Sequence, residues 1–237
     1  SIHVASMKYI SWSKLALEFL SIFIAVISAF ALNNWNDNRR DRLAEDKILA
    51  EIQNGLQLDL KDIEGNTNSH QQSIKACRYF RRLVQGQSVS SDSLGIHYIM
   101  VVRDFTSIMN LSGYQSLKSK GLEIISNDSI RLQILALYDH WYQIIYKLEE
   151  TAAEMQAFTT YFHGINEILK AYLQFDNLGN LVGIRQPLPL TPTEKNELLS
   201  YLWRIEINHL YKLQKYQTLT EQVNTLKAAI ELHLQTE

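Results

Sequence analysis

Cysteine occurs once in the 237 residues, at Cys77. A single thiol excludes an intrachain disulfide framework and any cysteine-rich zinc site. Proline occurs three times and glycine nine times. With so few turn formers, the chain reads as long helices. Positive charge is not in surplus: Lys+Arg is 23 and Asp+Glu is 25, a formal net charge of -2. Nucleic-acid binders draw their phosphate contacts from a Lys/Arg excess, so that class is excluded. The chain is not an acidic disordered tail either, because 46% of its residues are hydrophobic. A phosphate-binding glycine loop and a nucleophile-elbow serine are both missing from the sequence.

What stands out is an apolar run. From Leu15 to Leu32 the only charge is Glu18. As a helix this run is ~27 Å long, close to the ~30 Å hydrocarbon core of a bilayer. Trp12 precedes it and Trp35 follows it, as amphipathic rings do at the two membrane–water interfaces. Asn33, Asn34, Asn36, Asp37, Asn38, Arg39 and Arg40 then leave the apolar phase abruptly. Two other readings compete with a membrane span. A cleavable signal sequence would use Ser28-Ala29-Phe30-Ala31, but helix-favouring sequence runs on past Trp35. The core helix of a soluble domain would show a wider polar stripe.

The narrow stripe that is present runs through Glu18, Ser21, Ala25, Ser28 and Leu32, at steps of three and four. Small residues let a second helix approach, and serine can hydrogen-bond across the contact. The expected contact face is Glu18, Ser21, Ala25 and Ser28, with Trp12 and Trp35 as interface anchors. A plainer alternative is a Glu18–Lys14 pair at the membrane surface. Lys8 and Lys14 precede the run, while Arg39, Arg40, Arg42 and Lys47 follow it. This count favours a cytoplasmic C-terminal side.

Beyond the run, Leu49, Ile52, Leu56, Leu60 and Ile63 form an amphipathic stripe. It resumes at Ile74, Cys77, Phe80 and Val84, with a kink expected near Gly65. Residues 86–93 form a polar loop. Ile96 to Phe105 is helix or buried strand, with helix preferred. A short helix from Tyr114 to Lys120 ends at Gly121. Asn127 or Asp128 caps the next helix. Its seam runs through Ile134, Tyr138, Trp141, Ile145, Leu148, Ala152 and Met155 and continues through Phe162 and Ile165 to about Leu173. Residues 175–190 form an excursion or small hairpin. Thr191-Pro192-Thr193-Glu194 is a capping box. A last helix follows, striped by Trp203, Ile207, Leu210, Leu213, Tyr216, Leu219, Val223, Leu226, Ile230 and Leu234.

The chemistry-bearing candidates are sparse. Glu206 and His209 have the Glu-x-x-His spacing of di-iron bundles, but such a site needs a second pair. A polar face beside Trp203 and Leu210 is the plainer reading. His163 and Glu167 read as a solvated pair, and Asp139-His140 as an exposed face. Cys77 reads as a buried, inert thiol. Tyr138, Tyr142 and Tyr146 form a ladder that suits bundle packing or a partner's docking surface.

Two stretches together resemble a known family. Glu18, the apolar run and Asn33-Asn34-Trp35-Asn36-Asp37 are similar to the signature of bacterial single-pass membrane proteins found mainly in Bacteroidota. That signature reads Gly-Glu, an apolar run ending Ile-Ala-Leu-Gln-Ile, then Asn-Asn-Trp-Asn-Glu. Tyr114-Gln115-Ser116-Leu117-Lys118-Ser119-Lys120-Gly121, with Ile125, Arg131 and Tyr138, resembles the family's Tyr-x-x-Leu-Lys-Ser-Ser-Gly block. The likeness spans roughly residues 10–145. Ala25 stands where the family has glycine, Ser28 where it has isoleucine and Ala31 where it has glutamine. The resemblance implies an N-terminal membrane anchor, a helical extramembrane domain and, from the family's basic N-termini, a periplasmic side for that domain. The count of basic residues points the other way. The family carries no assigned reaction.

The expectation is an all-α protein: a short arm (1–14), a transmembrane helix (15–35) and an antiparallel helical bundle outside the membrane (36–237). Its expected role is a non-catalytic accessory or scaffold subunit of a bacterial inner-membrane assembly, with no cofactor and no metal. Its partners would be the lipid bilayer and other membrane subunits, in a hetero-complex or by self-association. The alternative is an extracytoplasmic sensor or ligand-binding bundle.

Overall fold

A computed structural model describes residues 12–236. Most of the expected arm, residues 1–11 with Lys8, lies outside the described residues. Among the described residues the chain is all-α apart from one two-stranded hairpin. It divides into two compact units, residues 1–47 and 48–237. The first helix, α1 (Trp12–Val84), belongs to both.

In the first unit, α1 carries an 18-residue window with mean hydropathy 2.4, of which none is buried. Among the described residues it is the one helix long and apolar enough to cross a membrane.

In the second unit, α1 packs against the last helix, α7 (Pro192–Thr236). Between them come α2 (Leu94–Met100), α3 (Ser112–Lys120), α4 (Asp128–Ala136), α5 (Tyr142–Tyr146) and α6 (Ala157–Leu169). Strands β1 (Leu173–Phe175) and β2 (Leu181–Ile184) form the antiparallel hairpin. Contacts along α1 and α7 run in opposite order: Lys227 meets Gln57, His209 meets His70, and Glu206 meets Arg78. The two helices are therefore antiparallel.

Their seams are heptads. On α1 the seam is Leu49, Ile52, Leu56, Asp59, Ile63, Asn66, His70, Ser73, Cys77, Phe80 and Val84. All but Asn66 are buried. On α7 it is Leu198, Leu202, Ile205, His209, Lys212, Tyr216, Leu219, Val223, Leu226 and Ile230, all buried. The steps alternate three and four without a slip, and α1 is helical through Gly65. The helix does not break there, and the polar residues around position 66 continue the seam.

Two apolar cores sit at the ends of this pairing. One joins Ile48–Ile63 of α1 to α3, α4, α5 and the Tyr216–Ile230 part of α7. The other joins Ala76–Val84 of α1 to α2, α6, β2 and the Leu198–Ile205 part of α7. Between them the seam turns polar: His70 and Ser73 on α1 face the stretch of α7 that bears Asn208, His209 and Lys212.

Local signals place several boundaries. Asn127 caps α4 by accepting from the Ile130 N–H at 3.1 Å. The capping box at α7 closes reciprocally, Thr191 N to Glu194 and Glu194 N to Thr191. Gly121 ends α3 with φ 101°, a conformation that side chains disfavour. At Gly113 a Cβ would lie 2.7 Å from the Ile52 backbone nitrogen, so the α3 backbone approaches the α1 backbone closely there.

Two further expectations are corrected. The helix predicted from Ile134 to about Leu173 breaks at Ala152–Gln156, both of which are extended. Before the break come two π turns, Leu137–Trp141 and Lys147–Thr151. Each widens the turn and rephases the buried face. Tyr142 and Glu149 thereby replace Trp141 and Leu148 as the fully buried positions. On α7, Trp203, Ile207 and Leu210 are substantially exposed. The true seam there runs through Ile205, His209 and Lys212, polar residues that an apolar stripe passes over.

Candidate functional site

The predicted membrane face comes first. Glu18, Ser21, Ala25 and Ser28 are all exposed, as are Trp12 and Trp35. The Ser21 hydroxyl donates to the Glu18 carbonyl at 2.8 Å, so its proton is already used within the helix. Lys14 and Glu18 form no ion pair. Arg39 lies over the Trp35 ring at 5.8 Å, a cation–π contact suited to a membrane surface.

The polar layer of the bundle is built around a break in the chain. Residues 152–156 leave helical carbonyls without partners, and buried carbonyls must be satisfied. Asn208 donates to the Glu154 carbonyl, and the Lys212 ammonium to Met155 at 3.0 Å. Gln156 covers the Glu150 carbonyl at 3.0 Å. Asp104 receives the N–H groups of Ala157 and Phe158, capping α6. The irregular segment after α2 is held the same way. Ser107 N donates to Glu149, Ile108 N to Asp62 and Asn110 N to Asp59. Carboxylates thus replace the missing backbone ladder.

Electrostatics follow from this burial. Glu149 also accepts from the hydroxyls of Ser107 and Tyr216. Burial raises its pKa, and those hydrogen bonds and Lys212 oppose the rise. Asp59, buried and bonded by Tyr142, is raised for the same reason. Lys212 is lowered by burial, with Asp104 and Glu149 holding it up. His70 and His209 touch through their Nδ1 atoms at 2.7 Å. Burial drives His70 down to about 2 and His209 to about 3. Both rings are therefore neutral near pH 7, and one donates its Nδ1 proton to the other. Neither Nε2 has a hydrogen-bond partner.

The sequence candidates are redistributed by this geometry. His209 pairs with His70, while Glu206 turns to Arg78 and Arg81. The two do not converge. Glu206 and His209 are buried rather than forming a polar face beside Trp203 and Leu210. Glu167 pairs with Lys170. Asp139 is exposed and accepts from Tyr114 at 2.6 Å. Of the tyrosine ladder, Tyr138 and Tyr142 are buried and Tyr146 is exposed. Cys77 is fully buried, and burial pushes its thiol up to about 12. Among the described residues, no three His, Cys, Asp or Glu side chains group as metal ligands. Asp59, His70, Ser73, Glu149 and Lys212 escaped the sequence reading. Carrying the Leu49–Leu56 heptad forward would have found the three on α1.

Two depressions mark the surface of the bundle. An apolar groove of 340 Å³ is lined by Tyr98, Ile99, Val102, Arg103, Phe158 and Phe162. A basic cleft of 490 Å³ is lined by Lys75, Arg78, Tyr79, Arg82, Ser90, Ser93 and His97. In the cleft, the rings of Tyr79 and His97 lie 4.4 Å apart, and the Tyr79 hydroxyl donates to the Ser90 carbonyl at 2.7 Å. Burial and the Arg82 charge both lower the His97 pKa, leaving a neutral ring at pH 7.

No protein family, curated protein or solved structure matches the chain.

Proposed function

We propose that this chain is a non-catalytic, membrane-anchored interaction protein. In this reading its N-terminal helix spans a bacterial inner membrane, and the helical bundle stands on the periplasmic side. It acts as an accessory or scaffold subunit of a larger membrane assembly. The observation that carries the reading is the apolar window of α1, of which none is buried. Eighteen residues of that hydropathy are unfavourable in water and suited to lipid. The resemblance to single-pass membrane proteins supports the same placement. The partner is a membrane helix, from another subunit or a second copy. Bulky residues such as Phe19, Ile22, Phe23, Val26 and Ile27 are content in lipid. The small face at Ser21, Ala25 and Ser28 gains more from a close helix neighbour.

The test is co-purification of the full chain from its native membrane in mild detergent. Replacing Ala25 and Ser28 together by Leu should remove the co-eluting subunit or the self-association, with membrane insertion unchanged. Replacing Phe23 and Ile27 by Leu should leave it. Equal retention by both double variants would remove the helix face from the proposal.

A further inference from the structure

From Asn66 to Ser91 the chain has four cations, Lys75, Arg78, Arg81 and Arg82, and no carboxylate. Among the described residues, Glu206, reaching over from α7, is the one carboxylate paired to them. It takes Arg81 and the Nε of Arg78. Lys75 and Arg82 have no hydrogen-bond or ion-pair partner among the described residues. They stand seven residues apart, two helical turns on one face, with Arg78 between them. All three line the same cleft.

The rest of the cleft is neutral and built. Its aromatic side is Tyr79 against His97, fixed by the Tyr79 bond to the Ser90 carbonyl. Ser90 and Ser93 bring hydroxyl donors to the rim. Asp92, between them in sequence, does not line it. A cleft with two uncompensated cations repels metal ions and attracts anions. Guanidinium and ammonium groups beside hydroxyls match the oxygens of a phosphate. At 490 Å³ the space far exceeds a bare phosphate and falls within the roughly 300–1,000 Å³ of small-ligand sites. The paired rings offer an organic group a surface to lie on.

We infer that this cleft binds a small phosphate ester, with Arg82 and Lys75 holding the phosphate and the Tyr79–His97 rings contacting its organic part. The inference goes beyond the anchoring and partner reading and does not depend on it. A soluble ester and a phospholipid headgroup share this chemistry.

The test uses the full chain in phosphatidylcholine nanodiscs. Phenyl phosphate is titrated calorimetrically, and the His97 ring signals are followed by NMR. A second set of discs contains phosphatidic acid and no added ester. Binding of phenyl phosphate, weakened roughly tenfold or more by Lys75→Gln with Arg82→Gln, is the expected result for a soluble ligand. Lys118→Gln with Lys120→Gln, elsewhere on the surface, should leave it unchanged. A His97 shift that appears only with phosphatidic acid and vanishes in the cleft variant assigns the same site to a headgroup. All four side chains are exposed, so the variants keep the fold. Absence of binding to either probe at about 1 mM, or equal weakening by the control variant, overturns the inference.

Discussion

The stretch of α1 from Leu15 to Leu32 and the stretch from Leu49 to Val84 are both helical, and both order their residues at three- and four-residue steps. They use those steps in opposite ways. In the second stretch the seam, Asn66 apart, is buried and includes Asp59, His70 and Ser73 at no exposure. In the first, even Phe19, Phe23, Ile27 and Phe30 are exposed. A helix in water hides its apolar side chains and shows its polar ones. The bundle stretch does this and then buries polar groups as well, because neighbouring chain breaks need them. The apolar stretch does the reverse: it shows its apolar side chains, and it is long and apolar enough to cross a membrane. Burial of a seam, rather than its hydropathy, separates the two.

The largest expected effect is on the bundle side. Glu149→Ala would strand the Ser107 N–H, leave the Tyr216 hydroxyl with the Ser107 hydroxyl alone and remove a counter-charge of Lys212. Losing one member of such a buried network should cost about 3–5 kcal/mol. Chemical denaturation of the full chain in detergent measures it. Phe23→Ala, in the apolar stretch, should leave that transition where it is.

Next comes the histidine pair. His70→Leu alone leaves the His209 Nδ1 buried and unpaired, at about 1–3 kcal/mol. Adding His209→Leu should recover part of that loss, since two apolar side chains replace two polar ones. Non-recovery would mean that the rings do not act as a pair. The same variants sharpen the pH dependence. A histidine held below its unfolded pKa is neutral when folded and binds a proton on unfolding. Its contribution is therefore full above pH 6.5 and is lost as pH falls towards 3, the value near which His209 protonates in the fold. Both histidines act in the same direction, so stability falls more steeply with acid than one alone would make it. Asp59 and Glu149, whose pKa values are raised, act oppositely in acid, being stabilised by protonation as pH falls through their folded values. The difference between wild type and the double leucine variant isolates the histidines.

A smaller effect tests the contact of α3 with α1. Gly113→Ala places a methyl 2.7 Å from the Ile52 nitrogen and should cost ~1–3 kcal/mol through a shift of α3. An unchanged midpoint would mean that α3 sits less tightly on α1 than this distance requires.

Much of the fold was legible because its signals are local and apolar. The capping box at Thr191, the Asn127 cap, the Gly121 stop and the Leu219–Ile230 seam follow from propensity and period alone. The misses share one cause. His209 and Lys212 occupy seam positions, so the apolar stripe of α7 runs through Trp203 and Leu210 on the exposed side. Asp59 and His70 likewise made one seam look like two with a kink between. At Leu137–Thr151, π turns shift the phase by side-chain packing that no short-range pattern records. The basic cleft was invisible for a different reason: Ser90, Ser93 and His97 join Lys75 and Arg82 only through the fold. The absence of carboxylates from 66 to 91 was the readable part of it.

The central claim is that the Leu15–Leu32 stretch of α1 lies in lipid. Alkaline carbonate washing of membranes carrying the full chain tests it directly. The protein is expected to remain wholly in the membrane pellet; its release into the supernatant would show that this stretch is covered by protein instead of lipid.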